Sequence, residues 1–252
     1  MRKITILFFI LCLCSQLYAI DYATHQTTGI KVWIKTKDKM FPESWLNNEI
    51  DAQAESLKLA EFRRSIKIVF NALDKYPVEF IKKNLKEVYI LHFISFYGVE
   101  YGGTNSTDIV YITNQGVTKG YTDEYIEQLF HAEFSSIVLR NYANIDYDKE
   151  WCSINNKEFR YGDGGVAEIK TGKAGLDYAQ DYFKNGFLYE YAMSGSENDF
   201  NSIAKNLFCP SKDFWSLYGT YIKLSKKINL AIDLYNSADS SFNLIYFRNL
   251  NQ

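Results

Sequence analysis

The chain predicts an α+β fold, with a small mixed sheet drawn from its first half and a mostly helical C-terminal part. Three observations carry this. The segments "GIKVWIKT", "KEVYILHFIS" and "DIVYITN" are rich in β-branched and aromatic residues, as strands are. Two longer stretches, 52–75 and 123–141, repeat apolar residues at intervals of three and four, as amphipathic helices do. Helical patterning returns over 197–208 and 211–235. At 252 residues, with no repeat of fixed period, the chain fits one domain over 20–252, preceded by a targeting segment.

In sequence order, 20–50 is an irregular lead-in with one strand, "GIKVWIKT", which alternates apolar and polar residues. The helix expected over 52–75 rests on the stripe Leu59, Phe62, Ile66, Val69 and Leu73. It stops at "KYP", because Pro77 cannot continue the hydrogen-bond ladder and pushes Tyr76 towards extended backbone. A short turn, "VEFIKKNL", leads into "KEVYILHFIS", whose nearly unbroken apolar run suits a strand covered on both faces. "YGVEYGGTNST" reads as loop and "DIVYITN" as the next strand. After the loop "QGVTKGYTDEY", Thr122 or Asp123 caps the 123–141 helix. The middle, 143–180, reads as loop-rich around "YGDGGVAE".

Lys and Arg number 28 against 30 Asp and Glu, without a long run of either sign, so the protein lacks the concentrated basic face that nucleic acid requires. Twenty Tyr, 18 Phe and only three Pro describe a packed globule. The N-terminus "MRKITILFFILCLCSQLYA" has a basic start, a short apolar run and a cleavage point after Ala19, the pattern of a signal peptide over 1–19. Export to the periplasm or the extracellular space is expected. Cys12 and Cys14 leave a lipoprotein, with lipid-anchored or peripheral membrane association, as the alternative, although each follows Leu where a lipobox has a small residue. After removal of that segment only Cys152 and Cys209 remain, the candidates for one disulfide. Asn105 opens an "NST" sequon, which carries no meaning in a bacterial host.

The chemistry concentrates on "FHAEFSSIVLRNY", 130–142. Ile126, Leu129, Phe130, Phe134 and Ile137 form an apolar helix face, and Glu133 falls inside it. A carboxylate there needs a metal, a cation, a hydrogen-bond donor, a raised pKa or an opening to solvent; it could equally line a wet groove or pair with an Arg. An HExxH zinc site centred on Glu133 would place histidines at Ala132 and Ser136, one helical turn apart beside the general base. The segment reads Ala132, Glu133, Phe134, Ser135, Ser136 instead. Glu127 and His131, also at i and i+4, are the alternative metal pair.

The parts "ALDKYPVEFIKKNL", "VYILHFI", "YGGTNSTDIVYI", "EQLFHAEFSSIVLRNY" and "MSGSENDFNSIAKNLF" stand in an order that resembles the zincin metallopeptidases. The similarity is to secreted or lipoprotein bacterial zinc-binding metallopeptidases, in which an HExxH helix is followed downstream by a glutamate in an "EDFAE"-like helix. The resemblance implies a zincin-like fold over roughly 50–225, with an active-site-type helix and an edge strand, here "DIVYITN", lining a substrate cleft. It puts Glu133 at the general-base position and Ala132 and Ser136 at lost ligand positions. Of Glu197, Asn198 and Asp199, it favours Glu197 for the third ligand; Ser196 capping a helix with acids in its first turn is the structural alternative. The expectation is an exported, catalytically inactive binding or accessory protein that takes a peptide or protein in the cleft and needs no cofactor. The alternative is an active metallopeptidase with an atypical zinc site built from His131, Glu133 and Glu197, aided by Glu127.

Overall fold

The computed structural model describes residues 21–250, so the segment 1–19 expected to be a signal peptide lies outside the described residues. The sheet is built on β4 (Glu87–Phe96). Before it come β1 (Tyr22–Thr24), β2 (Lys31–Trp33) and β3 (Gln53–Ser56), then α1 (Phe62–Asp74) and α2 (Val78–Asn84). After it come β5 (Val99–Glu100), β6 (Gly103–Asn105) and β7 (Ile109–Thr113). The strand order is β1-β2-β4-β7-β6, with β2 and β7 parallel to β4 and with β1 and β6 antiparallel at the two edges.

Period-2 geometry divides the side chains of β4 and β7 between two cores. Val88, Ile90, Val110 and Ile112 enter the main helical core, whereas Tyr89, Leu91 and Tyr111 pack with Met40, Phe41 and Phe96 on the other face. That two-sided burial is why "VYIL" reads as an unbroken apolar run.

The helical part continues through α3 (Asp123–Tyr142), α4 (Ile145–Ser153), α5 (Gly165–Thr171), α6 (Gln180–Asn185), α7 (Ser196–Phe208), α8 (Phe214–Leu217), α9 (Ile222–Ala238) and α10 (Leu244–Asn249). Thr122 caps α3, its side chain accepting from the Tyr125 N–H at 3.1 Å. Asn144 caps α4 by accepting from the N–H groups of Asp146 and Tyr147. No helix among the described residues is long and apolar enough to cross a membrane.

Four sequence expectations change. The stretch 52–75 is strand β3, a 3-10 turn at Leu59–Glu61 and only then a helix, and Leu59 is 69% exposed instead of heading a buried stripe. The cause is the length of β4: β2 and β7 pair with its first half, so its second half takes β3 as an antiparallel partner. The "DIVYITN" strand is interior, and the edge beyond it is β6, in a segment expected to be loop. The middle of the sequence holds α4 and α5. The helix expected over 211–235 is broken into α8 and α9 at Gly219, whose φ of 86° no helix interior permits.

Candidate functional site

Leu129, Ala132, Glu133 and Ser136 share the side of α3 that faces a groove. The opposite wall comes from α7, where Asn198, Asn201, Ser202 and Lys205 recur at helical spacing. The upper rim is β6 with Tyr101 and Gly102, and the far rim is Gly164 to Val166 with Tyr191. The groove has two contiguous halves that share Glu133. One is polar, lined by Asn105, Ser136, Glu197 and Asn198. The other is an aromatic and apolar cavity of about 210 Å³, with Tyr101, Tyr125, Leu129, Leu176, Tyr189 and Tyr191 in its walls.

Glu133 is the hinge of this arrangement. Its Oε2 accepts from Asn105 Nδ2 at 2.7 Å. The Asn105 carbonyl in turn accepts from Arg140 Nη2 at 2.5 Å, which fixes the orientation of the amide. Arg140 also donates to the Ser106 carbonyl at 2.7 Å and lies 3.6 Å from Glu197 Oε1. Burial pushes the Glu133 carboxyl up to about 7; Glu197 adds to the rise, while the Asn105 hydrogen bond and Arg140 oppose it. Gly103 permits the close approach of the strand, since a Cβ there would stand 2.8 Å from Glu133 Oε1.

The serines of the motif serve to join helices. Asn201 Nδ2 donates to Ser136 Oγ at 2.7 Å, and Ser135 Oγ donates to Asn201 Oδ1 at 2.6 Å. Asn201 is therefore the α7 residue facing the Ala132 to Ser136 row, one turn beyond the Glu197 expected there. Glu197 lines the polar half, half-exposed and paired with Arg140. Asn198 donates to Ser194 Oγ at 2.7 Å. Asp199 turns away into the core, where its Oδ2 accepts from Lys227 Nζ at 2.6 Å, Tyr161 at 2.6 Å and Trp151 Nε1 at 3.0 Å.

The Glu127–His131 pair lies on another side of α3 and lines neither half of the groove. His131 is fully buried, stacked on Phe208, with Nδ1 2.8 Å from the Tyr76 hydroxyl and Nε2 3.4 Å from Glu127 Oε1. Burial holds its imidazole down at about 4, and Lys75 occupies Glu127 at 2.6 Å. A combined His131, Glu133 and Glu197 site is thus not assembled, because i and i+2 on a helix project to different sides. The two candidate disulfide cysteines are both free, Cys152 exposed on α4 and Cys209 buried at the end of α7.

Among solved structures, the protein superposes on a Bacteroides caccae protein described as a putative zinc-binding metallo-peptidase, with a TM-score of 0.55 and 14% identity over 89% of this chain and 85% of that one. At that identity the likeness is one of fold. No protein-family model and no curated protein matches the sequence.

The residues at the motif do not fit a zinc ion. Ala132 carries no donor atom, the Ser136 hydroxyl already receives the Asn201 amide, and the guanidinium of Arg140 stands against Glu197. Among the described residues no three His, Cys, Asp or Glu side chains converge where a metal could be held. What the site offers is a carboxyl that titrates near neutrality, an aromatic cavity and an open strand edge. Arg140, Asn201 and Lys205 had no motif to announce them, and Asn105 stood only in a sequon unrelated to this role. Only Arg140 left a trace in sequence, as a cation two turns after a carboxylate that needed a partner.

Proposed function

We propose that this is an exported, non-hydrolytic member of the metallopeptidase-like fold whose groove binds an extended peptide segment as an accessory or binding protein. The observation that carries the reading is the open edge of β6 beside Glu133. The Thr113 N–H bonds to the Gly102 carbonyl and the Ser106 N–H to the Ile109 carbonyl, so alternate residues of this strand are turned to β7. The N–H and C=O groups of Gly103 and Asn105 therefore point outward into the groove. An extended peptide can add there through main-chain hydrogen bonds, with its side chains in the aromatic cavity. The four tyrosines supply contact area at small entropic cost.

Loss of hydrolysis follows from the donor set, since Glu133 has no adjacent imidazole pair to hold an ion and lower the pKa of its water. Metal analysis of the mature protein purified without chelator should find well below one zinc per molecule, and stoichiometric zinc would overturn the reading. The Ala132→His, Ser136→His double variant should acquire zinc affinity, measured by competition with a chromophoric chelator. Unchanged affinity in a folded double variant would show that the assigned register is wrong.

A further inference from the structure

The aromatic half of the groove ends at a cation without an anion. Lys205, on the pocket-facing stripe of α7, lies 5.1 Å from the centre of the Tyr189 ring, and no carboxylate or carbonyl holds its ammonium among the described residues. Other enclosed cations of this molecule are matched: Lys227 has Asp199, Lys75 has Glu127, and Arg64 has Glu61 and Asp123. A second polar atom of the same cavity is also orphaned, for the Tyr101 hydroxyl is buried with no hydrogen-bond partner. Burial holds the Lys205 ammonium below its ordinary range. The Tyr101 hydroxyl is buried without an acceptor and the half-buried Lys205 ammonium has no anion among the described residues, so an acceptor entering the cavity would find two donors not satisfied within the protein.

Resting on the peptide-groove reading, we propose that Lys205 is a carboxylate receptor, and that the segment taken up carries a carboxylate into the tyrosine-lined half of the groove. The carboxylate could belong to the C-terminus of a peptide or to an acidic side chain; the chemistry is the same, an anion on a peptide body. It accepts a charge-assisted hydrogen bond from Lys205, while the adjoining side chain packs among Tyr125, Leu129, Leu176 and Tyr189 and the Tyr101 hydroxyl offers a further donor elsewhere in the same cavity. Neither donor has a place in the HExxH register. The cavity itself shares Ala132 and Glu133 with that register, while Lys205 and Tyr101 lie outside it.

Three peptides separate the outcomes by calorimetry or protein-observed NMR: N-acetyl-Ala-Ala-Phe with a free carboxylate, its C-terminal amide, and the amide of N-acetyl-Ala-Glu-Phe. A carboxylate receptor should bind one or both acidic peptides roughly 10- to 100-fold tighter than the neutral amide, as a charged hydrogen bond in a desolvated pocket would give. Preference for the free terminus alone identifies a peptide end, and preference for the glutamyl amide identifies an acidic side chain. Lys205→Met should abolish the preference, so that the acidic peptides bind it no tighter than the neutral amide does. Equal binding of all three peptides would overturn the carboxylate assignment and leave the groove reading standing, as would a preference that survives in Lys205→Met. No binding of any peptide would remove both. Should Lys205→Met not fold, the comparison of the three peptides on the unaltered protein still decides.

Discussion

Glu133 is the residue at which the physical accounting is most exposed. A carboxyl on the apolar side of a helix must be compensated, and here one amide of Asn105 provides the direct contact while Arg140 acts through that amide. Compensation is partial, so the folded state raises its pKa from 4.5 to about 7. The sign follows from linkage. Between those two values the folded protein holds a proton that the unfolded chain has lost, so stability falls as pH rises through the window. Below the window the group contributes no penalty. Above it the cost is at most about 3 kcal/mol, at 1.36 kcal/mol per unit, and less because the carboxyl opens to the groove. Glu133→Gln should accordingly stabilise the protein at pH 8 and lose that advantage by pH 5, read by urea denaturation at both values. Equal effects at the two pH values would refute a raised pKa.

At the scale of elements, α7 decides the geometry of the site because it is anchored on two sides. Its groove side is tied to α3 through Asn201 with Ser135 and Ser136. Its core side is tied through Asp199 to Lys227 on α9 and Trp151 on α4, with Asp199 and Lys227 both 0% exposed. Lys227 further donates to the Gly186 carbonyl at 2.8 Å and sits 3.9 Å from the Phe187 ring centre. Breaking one side of such a pair leaves a charge stranded in the core. Asp199→Asn should therefore destabilise the fold by about 3–5 kcal/mol, and replacement of both partners by apolar residues of similar volume should recover much of that loss. Chemical denaturation of the single and double variants checks this; a single-variant loss under about 1 kcal/mol would mean the pair is solvated.

At the scale of the molecule, the sheet separates two cores and leaves an open strand beside the groove. The helical core behind β4 and β7 fixes α3, and the smaller aromatic core on the other face holds the 37–50 segment against Tyr89 and Tyr111. Because pairing with β7 uses only alternate residues of β6, amide exchange should be fast at Gly103 and Asn105 and slow at Thr104 in the free protein. Addition of N-acetyl-Ala-Ala-Phe should slow the two fast sites. Exchange that stays unchanged on saturation would show that the peptide binds without adding to the strand.

The amino-acid pattern by itself determined the parts of this molecule governed by local periodicity and steric rules. It placed β4 and β7 by their unbroken β-branched runs, α3 by its 3.6-residue stripe with a cap at Thr122 or Asp123, of which the structure uses Thr122, and Glu133 by its intrusion into an apolar face. It also showed that Ala132 and Ser136 cannot stand in for imidazoles. Tertiary structure alone decided that Gly103–Asn105 is a strand, since three residues with a glycine become extended only when β7 offers a ladder. It alone decided that Asn201 rather than Glu197 meets Ser136, and that Asp199 belongs to Lys227. These facts depend on the rotation of one helix against another, set by packing between residues far apart in sequence, about which local spacing carries no information.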